Sequence, residues 1–249
     1  MELYLFRHAD YEFYYNCSKY SQDEWTSFGT RQLGIGMFSI VSGFVCMALY
    51  LPCMKVMLEP KFWDHNCYKI MFFNGCIDII GIFNSCFVSG YLSLKGVVFC
   101  TYPDFLYILG TIIVSLFGTQ GVTVFLLAFS RCAEFWNSKM FSGKRVYFWL
   151  LIPICHFVAM VFFVAACPFS SNANMWTLDP YFEIPGIDAD PTPYANVPIL
   201  NYTNLFNFVG LTCCYSFLIG SIWYKKRELD ASSMGKVQKQ AASSSSTCS

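Results

Sequence analysis

The chain has 249 residues, 55% hydrophobic and 13% charged, with sixteen basic residues balancing sixteen acidic ones. Soluble domains carry roughly 25% charged residues, so this composition excludes an ordinary water-soluble fold. The zero net charge gives no basis for a nucleic-acid partner.

In chain order, residues 1–32 form a mixed polar and aromatic segment. Met1 to Phe13 carries Glu2, Arg7, Asp10 and Glu12 and has no apolar run of signal-peptide length. No cleavable signal is therefore expected, and the first apolar block must direct the chain to the membrane. Five apolar blocks follow, at 33–57, 68–92, 105–129, 146–167 and 203–224. At roughly 1.5 Å per residue each can cross a hydrocarbon core of about 30 Å. None alternates as a membrane barrel strand does. The expected fold is an all-α membrane protein, a five-helix transmembrane bundle in a lipid bilayer.

Between the last two blocks, residues 168–202 are acidic and rich in proline, with Asp179, Glu183, Asp188 and Asp190 and no basic residue. Proline favours turns and extended chain, so a long loop is expected there, of a length more typical of a binding lid or a disordered segment than of a plain connector. Residues 225–249 form a tail that is Ser-rich from Ser232 onwards, for which disorder is expected.

Lysine and arginine near span ends are retained in the cytoplasm. Twelve of the sixteen basic residues lie after the first, third and fifth blocks, from Lys55, Lys61 and Lys69 through Arg131 and Lys139 to Lys225 and Lys239. This predicts a multi-pass chain with its N-terminus outside and its C-terminus cytoplasmic. Both glycosylation sequons, at Asn16 and Asn201, then fall outside, although Asn201 sits close to the membrane.

Most of the thirteen cysteines lie in or beside apolar blocks, where a free thiol acts as a small hydrophobe. Cys17 and Cys100 fall on the expected outside, where a bridge is permitted. Cys167, at the outer end of the fourth block, competes for Cys100.

Asp78 is the one acidic residue inside a span, and a carboxylate at that depth cannot face lipid without large cost. At helical spacing Asn74, Asp78, Gly81 and Ser85 share one face, which should point into the bundle. Two readings are open: a cation or protonation site, or a neutral carboxyl hydrogen-bonded to neighbouring helices. Thr111, Ser115, Thr119 and Thr123 recur every fourth residue in the third span, with Gly118, Gln120 and Gly121 between them, and read as a close-packing face. Ser39 and Gly43 read the same way in the first span. Arg131 and Glu134 share a face just beyond the third span, able to pair with each other or to anchor the helix. His8, His65 and His156 are too scattered for a metal site, and no phosphate loop or nucleophile motif appears. Neither an enzyme nor a cofactor is expected.

Taken in order, Tyr15-Asn16-Cys17-Ser18, Tyr50-Leu51-Pro52-Cys53, Cys67-Tyr68-Lys69-Ile70-Met71-Phe72, Ile77-Asp78, Val98-Phe99-Cys100 with Pro103, Ser130-Arg131-Cys132 to Trp136, Gly143-Lys144-Arg145 and Asp179-Pro180 resemble the nematode serpentine receptors of class T. The ordered set spans about residues 15 to 225. The resemblance implies a chemosensory G-protein-coupled receptor whose first five helices are represented here, with a small-molecule cavity opening outward under the long loop. It implies a coupling-switch role for Arg131, facing a heterotrimeric G protein, with Glu134 nearby. Paired cysteines recur in that family, so it also implies a Cys17–Cys100 bridge.

Two departures stand out. Ser130 occupies a position where many receptors keep an acidic or amide residue. The chain ends about twenty-five residues after the fifth span, so spans six and seven are missing and the family's coupling movement lacks one of its elements. The leading expectation is a receptor by ancestry in a five-helix form, as from a truncated product or splice variant. The alternative is a non-signalling partner that assembles with a full-length receptor. A channel using Asp78 ranks below both, because no second intramembrane charge continues a path.

Overall fold

A computed structural model of the chain describes residues 1–136, 139–187 and 198–245, with the side chains of the last helix described as far as residue 227. Asp188, Asp190, Pro191 and Pro193 lie outside the described residues.

Three short helices open the chain: α1 (Glu2–Phe6), α2 (His8–Tyr14) and α3 (Gln22–Phe28). The last starts on a capping box in which Ser21 Oγ accepts from the Glu24 backbone while Glu24 accepts from the Ser21 backbone, satisfying two orphan amides. Those bonds hold the Glu24 carboxyl below its usual range. The first span, α4, covers Leu33–Met57, and α5 (Pro60–Trp63) turns the chain back. The second span begins as α6 (Asn66–Ile82), widens into a π-helical stretch (Phe83–Val88) and ends as α7 (Ser89–Lys95). Gly96 closes it in the left-handed conformation, φ +69°, which a side chain would strain. A single 3₁₀ turn (Phe99–Thr101) leads into the third span, α8 (Pro103–Phe135), where Pro103 occupies the first turn and so removes no helical hydrogen bond. The fourth span is α9 (Arg145–Phe163). A small hairpin of β1 (Phe169–Ser170) and β2 (Met175–Trp176) follows, and then α10 (Pro198–Ser245).

Five of these helices are long and apolar enough to cross a membrane, so the chain is an all-α multi-pass membrane bundle. The third span is its centre, with 44% of its most apolar window buried against 11% in the first and fifth spans. It packs against the second, fourth and fifth, while α4 lies along the second. The row Thr111, Ser115, Thr119 and Thr123 is buried at this centre. Thr111, Ser115 and Thr123 return their hydroxyls to the carbonyl four residues earlier, so these three groups are satisfied within the helix.

Several boundaries differ from those expected. The fourth span stops at Phe163 rather than Cys167, because Val164 turns extended and residues 164–167 run back over α8. A Cβ at Gly110 would collide with the Cys167 backbone, so glycine permits this close approach. The fifth span continues as helix to Ser245, through most of the tail for which disorder was expected. The Ala, Lys, Gln and Met residues of that tail carry good helical propensity, and they extend a helix already nucleated within the span.

The largest core lies at one end of the bundle, where the outer turns of the second and third spans meet the N-terminal segment and the long loop. Tyr11, Tyr15 and Trp25 from the N-terminal segment meet Val97 to Cys100, Leu106 and Tyr107 from around the start of α8. Ala166, Phe169, Tyr181 and Ile184 from the long loop complete it. Trp25 is 1% exposed, and its indole donates to the Cys17 carbonyl at 2.9 Å. Tyr11 stacks edge-on against Tyr107 and donates to Asp104 Oδ1 at 3.0 Å; burial and that bond push its phenol well above the usual range. The long loop is bound to the same segment, with Tyr181 Oη donating to the Asn16 carbonyl at 2.9 Å and Lys19 Nζ to the Gly186 carbonyl at 2.5 Å. Each buried aromatic side chain contributes about 1.5–3 kcal/mol, so these pieces form a cap with a core of its own. At the opposite end, Lys225 Nζ donates to the Phe135 carbonyl at 3.0 Å and sits 4.4 Å from the Phe135 ring, capping the end of the third span from the fifth.

A disulfide joins Cys17 to Cys100 across 83 residues, with Cα atoms 5.5 Å apart. A crosslink closing so long a loop stabilises by about 2–5 kcal/mol. Cys17→Ser should therefore loosen the cap, seen as faster protease cleavage between residues 10 and 25 of the folded protein. Cleavage at the wild-type rate would show that the aromatic core holds the cap unaided.

Candidate functional site

The polar groups inside the bundle converge on Asp78. Its Oδ2 accepts from Asn74 Nδ2 at 2.9 Å, one turn earlier on the same helix, and from Tyr50 Oη on the first span. Its Oδ1 accepts from Gln120 Nε2 on the third span. One carboxyl thus joins three helices through three hydrogen bonds. The carboxyl is hydrogen-bonded to neighbouring helices, as one of the two readings had it.

The expected polar stripe holds for Asn74 and Asp78 and then breaks. Ser85 is exposed, while Asn84 beside it is buried. Gly81 is exposed too, ahead of the π-helical stretch at 83–88, and Asn84 stands seven residues from buried Ile77 and fourteen from buried Ile70, so it shares their α-helical face. Ser85 is corrected to the rim of the bundle, and Asn84 takes the inward position. The π turn is tied to the cap: Trp176 Nε1 donates to Ser89 Oγ at 2.9 Å, and Ser89 Oγ donates to the Asn84 carbonyl at 3.0 Å.

A second node lies on the other side of α8. His156 on the fourth span places Nδ1 3.2 Å from Thr119 Oγ1 and Nε2 3.2 Å from Thr203 Oγ1, joining spans three, four and five. Thr203 is also the hydroxyl residue of the Asn201 sequon, whose asparagine is exposed near the start of α10. Asn16 is exposed in the cap, its Oδ1 accepting from the Ser18 amide at 2.8 Å in a tight turn.

Arg131 and Glu134 do not meet. Arg131 Nη2 turns towards the second span, 3.8 Å from Met71 Sδ and in contact with the Cys67 thiol, and no Arg131–Glu134 ion pair forms among the described residues. Both are exposed at the basic end of the bundle, leaving the guanidinium open to an outside partner. Cys167, the competitor for Cys100, is a free thiol that burial pushes up to about 12, which leaves it unreactive at neutral pH.

Sequence reasoning did not assign Tyr50, Gln120, His156 or Asn84 to sites. Gln120 carried a usable signal: it is a large amide in an apolar helix, and such a group requires a partner. Asn84 carried one as well, since it stands seven residues from Ile77 and fourteen from Ile70, on the face that those two share.

A family model described as serpentine type 7TM GPCR chemoreceptor Srt matches residues 1–248. The serpentine receptor class T-55 of Caenorhabditis elegans is 26% identical over 226 residues, covering 88% of this chain and 60% of that relative. The chain therefore spans about 60% of the length of the curated relative it matches. No solved structure matches it.

Replacing Asp78 by Leu would strand three donors in a low-dielectric setting, costing about 2–3 kcal/mol, whereas Asp78→Asn keeps one acceptor oxygen and should cost about half as much. Thermal unfolding of the detergent-solubilised protein would rank the variants as wild type, Asn, Leu. Equal midpoints for all three would mean that this carboxylate does not bind the helices together.

Proposed function

This chain belongs to the serpentine seven-transmembrane chemoreceptor family of class T, and from that membership we propose that it is the ligand-sensing and G-protein-facing part of a chemosensory receptor. The observation that carries the reading is the family match over residues 1–248. In this reading the cap faces outward and the basic end lies in the cytoplasm. Support comes from the positive-inside pattern, from a disulfide and an exposed Asn16 sequon at the cap end, and from Arg131, Lys139, Lys144, Arg145 and Lys225 at the other.

A small-molecule cue would bind among the spans beneath the cap, and Arg131 would meet the heterotrimeric G protein. The cap's packing argues that it acts as a fixed lid. Its core residues Trp25, Phe99 and Tyr107 are each 1% exposed, so the described part of the cap is closely packed. The exposed Arg131, unpaired with Glu134, supports a role for its guanidinium towards a partner, since a buried structural ion pair would have satisfied it internally.

Orientation and coupling are tested separately. A tag placed in the cap should be labelled on intact cells and a tag after Ser245 only after permeabilisation, with Asn16→Gln removing an endoglycosidase-sensitive mass shift. A protected cap tag would overturn the reading. In cells that respond to a chemical cue through this chain, Arg131→Ala should cut G-protein activation at least tenfold with surface level unchanged. An unaltered response would remove Arg131 from the coupling role.

A further inference from the structure

A groove of about 410 Å³ runs between the second and third spans, at the end of the bundle that carries the cap. Phe83 and Phe87 line its deeper part, Val88 and Phe105 its middle, and Tyr91, Leu92 and Tyr102 the end nearest the cap. From Phe83 to Tyr91 the second span rises about 10–12 Å. Phe83 and Tyr91 are 55% exposed and Phe105 54%, so the groove opens onto the apolar surface that the bundle turns to lipid. Its deeper rings are already positioned, with Phe87 5.7 Å from Phe83 and 4.9 Å edge-on from Phe44 of the first span.

The end nearest the cap differs in chemistry. Tyr91 and Tyr102 bring two hydroxyls that have no hydrogen-bond partner among the described residues. One helical turn beyond, the exposed Lys95 holds its Nζ 5.8 Å from the Tyr91 ring. An occupant that suits both ends is apolar over most of its length and carries a small polar group at one tip. A flexible acyl chain fixed in such a groove loses rotamer freedom, whereas a rigid fused-ring system loses far less and lays a flat face on the aromatic wall. Val88, Tyr91 and Lys95 also follow one another in the order apolar, tyrosine, basic, at spacings proposed for sterol contact. We infer that this groove binds a membrane sterol, its rings against Phe83, Phe87 and Phe105 and its single hydroxyl between Tyr91 and Tyr102 beneath Lys95.

The site goes beyond the receptor reading and does not rest on it, since it requires only that the bundle lies in lipid. Its test uses the full chain in phosphatidylcholine nanodiscs and a photoreactive cholesterol with a ring diazirine and a free 3-hydroxyl. Labelling should saturate and map to residues 83–92 and 102–105. Cholesterol should compete about fivefold better than its 3-methyl ether, which keeps the rings and loses the donor. The double variant Tyr91→Phe, Tyr102→Phe should erase that preference while labelling persists. Phe105→Ala should weaken labelling about tenfold by removing one ring face, whereas Phe148→Ala, at a ring 69% exposed on the fourth span, should leave it unchanged. All of these side chains except Phe87, Val88 and Leu92 are more than half exposed, so the substituted positions lie outside the packed core. Labelling that fails to saturate, that spreads evenly over the lipid-facing surface, or that keeps its hydroxyl preference in the double variant would overturn the inference. So would displacement by phosphatidylserine as effective as that by cholesterol, which would make an acyl chain the occupant.

Discussion

Within a hydrocarbon layer a polar group has only other protein groups to satisfy it, and the bundle is organised by that requirement. Asp78 is the clearest case: its two oxygens take donors from the first, second and third spans. The His156 bridge between Thr119 and Thr203 does the same for spans three, four and five. Span three contributes to both nodes, and the small residues along it bring the neighbouring backbones near enough for short side chains to reach one another. In lipid, association of helices gains little from hydrophobic burial, so these few polar junctions fix which helices meet and at what height.

The cap follows the opposite logic. It is built in water, where burying aromatic surface is the main driving force, and it is there that the largest core forms. A disulfide and a ring of backbone acceptors then hold the segments in register. Two kinds of solvent act on one chain, and each end of α8 answers to a different one: Tyr107 to the cap core, Thr123 to the span interior.

Much of the spanning architecture was legible in the sequence because hydropathy records contact with lipid directly. The first span has the expected bounds, Leu33–Met57, and the central placement of the third follows its row of small hydroxylated residues. The cap was not legible. Its core is assembled from Tyr11, Tyr15, Trp25 and Phe169, which stand singly in polar segments far apart in sequence, and no local period marks them. The intramembrane site was half legible. Asp78 and Asn74 stand out as polar residues at depth, but Gly81 and Ser85 are exposed, and the buried residue is Asn84, on the face of Ile70 and Ile77. The fourth span ends early for a similar reason: Val164 to Cys167 are as apolar as the helix before them, yet they serve as packing for α8.

The bond path from Trp176 through Ser89 to the Asn84 carbonyl has a mechanical implication. A π turn is a local fault in a helix, able to slide along it if nothing pins it. Here the pin is a hydroxyl held by an indole that belongs to the loop hairpin. The loop hairpin and the second span are thus joined through one hydroxyl, so the seat of the hairpin bears directly on the widened turn.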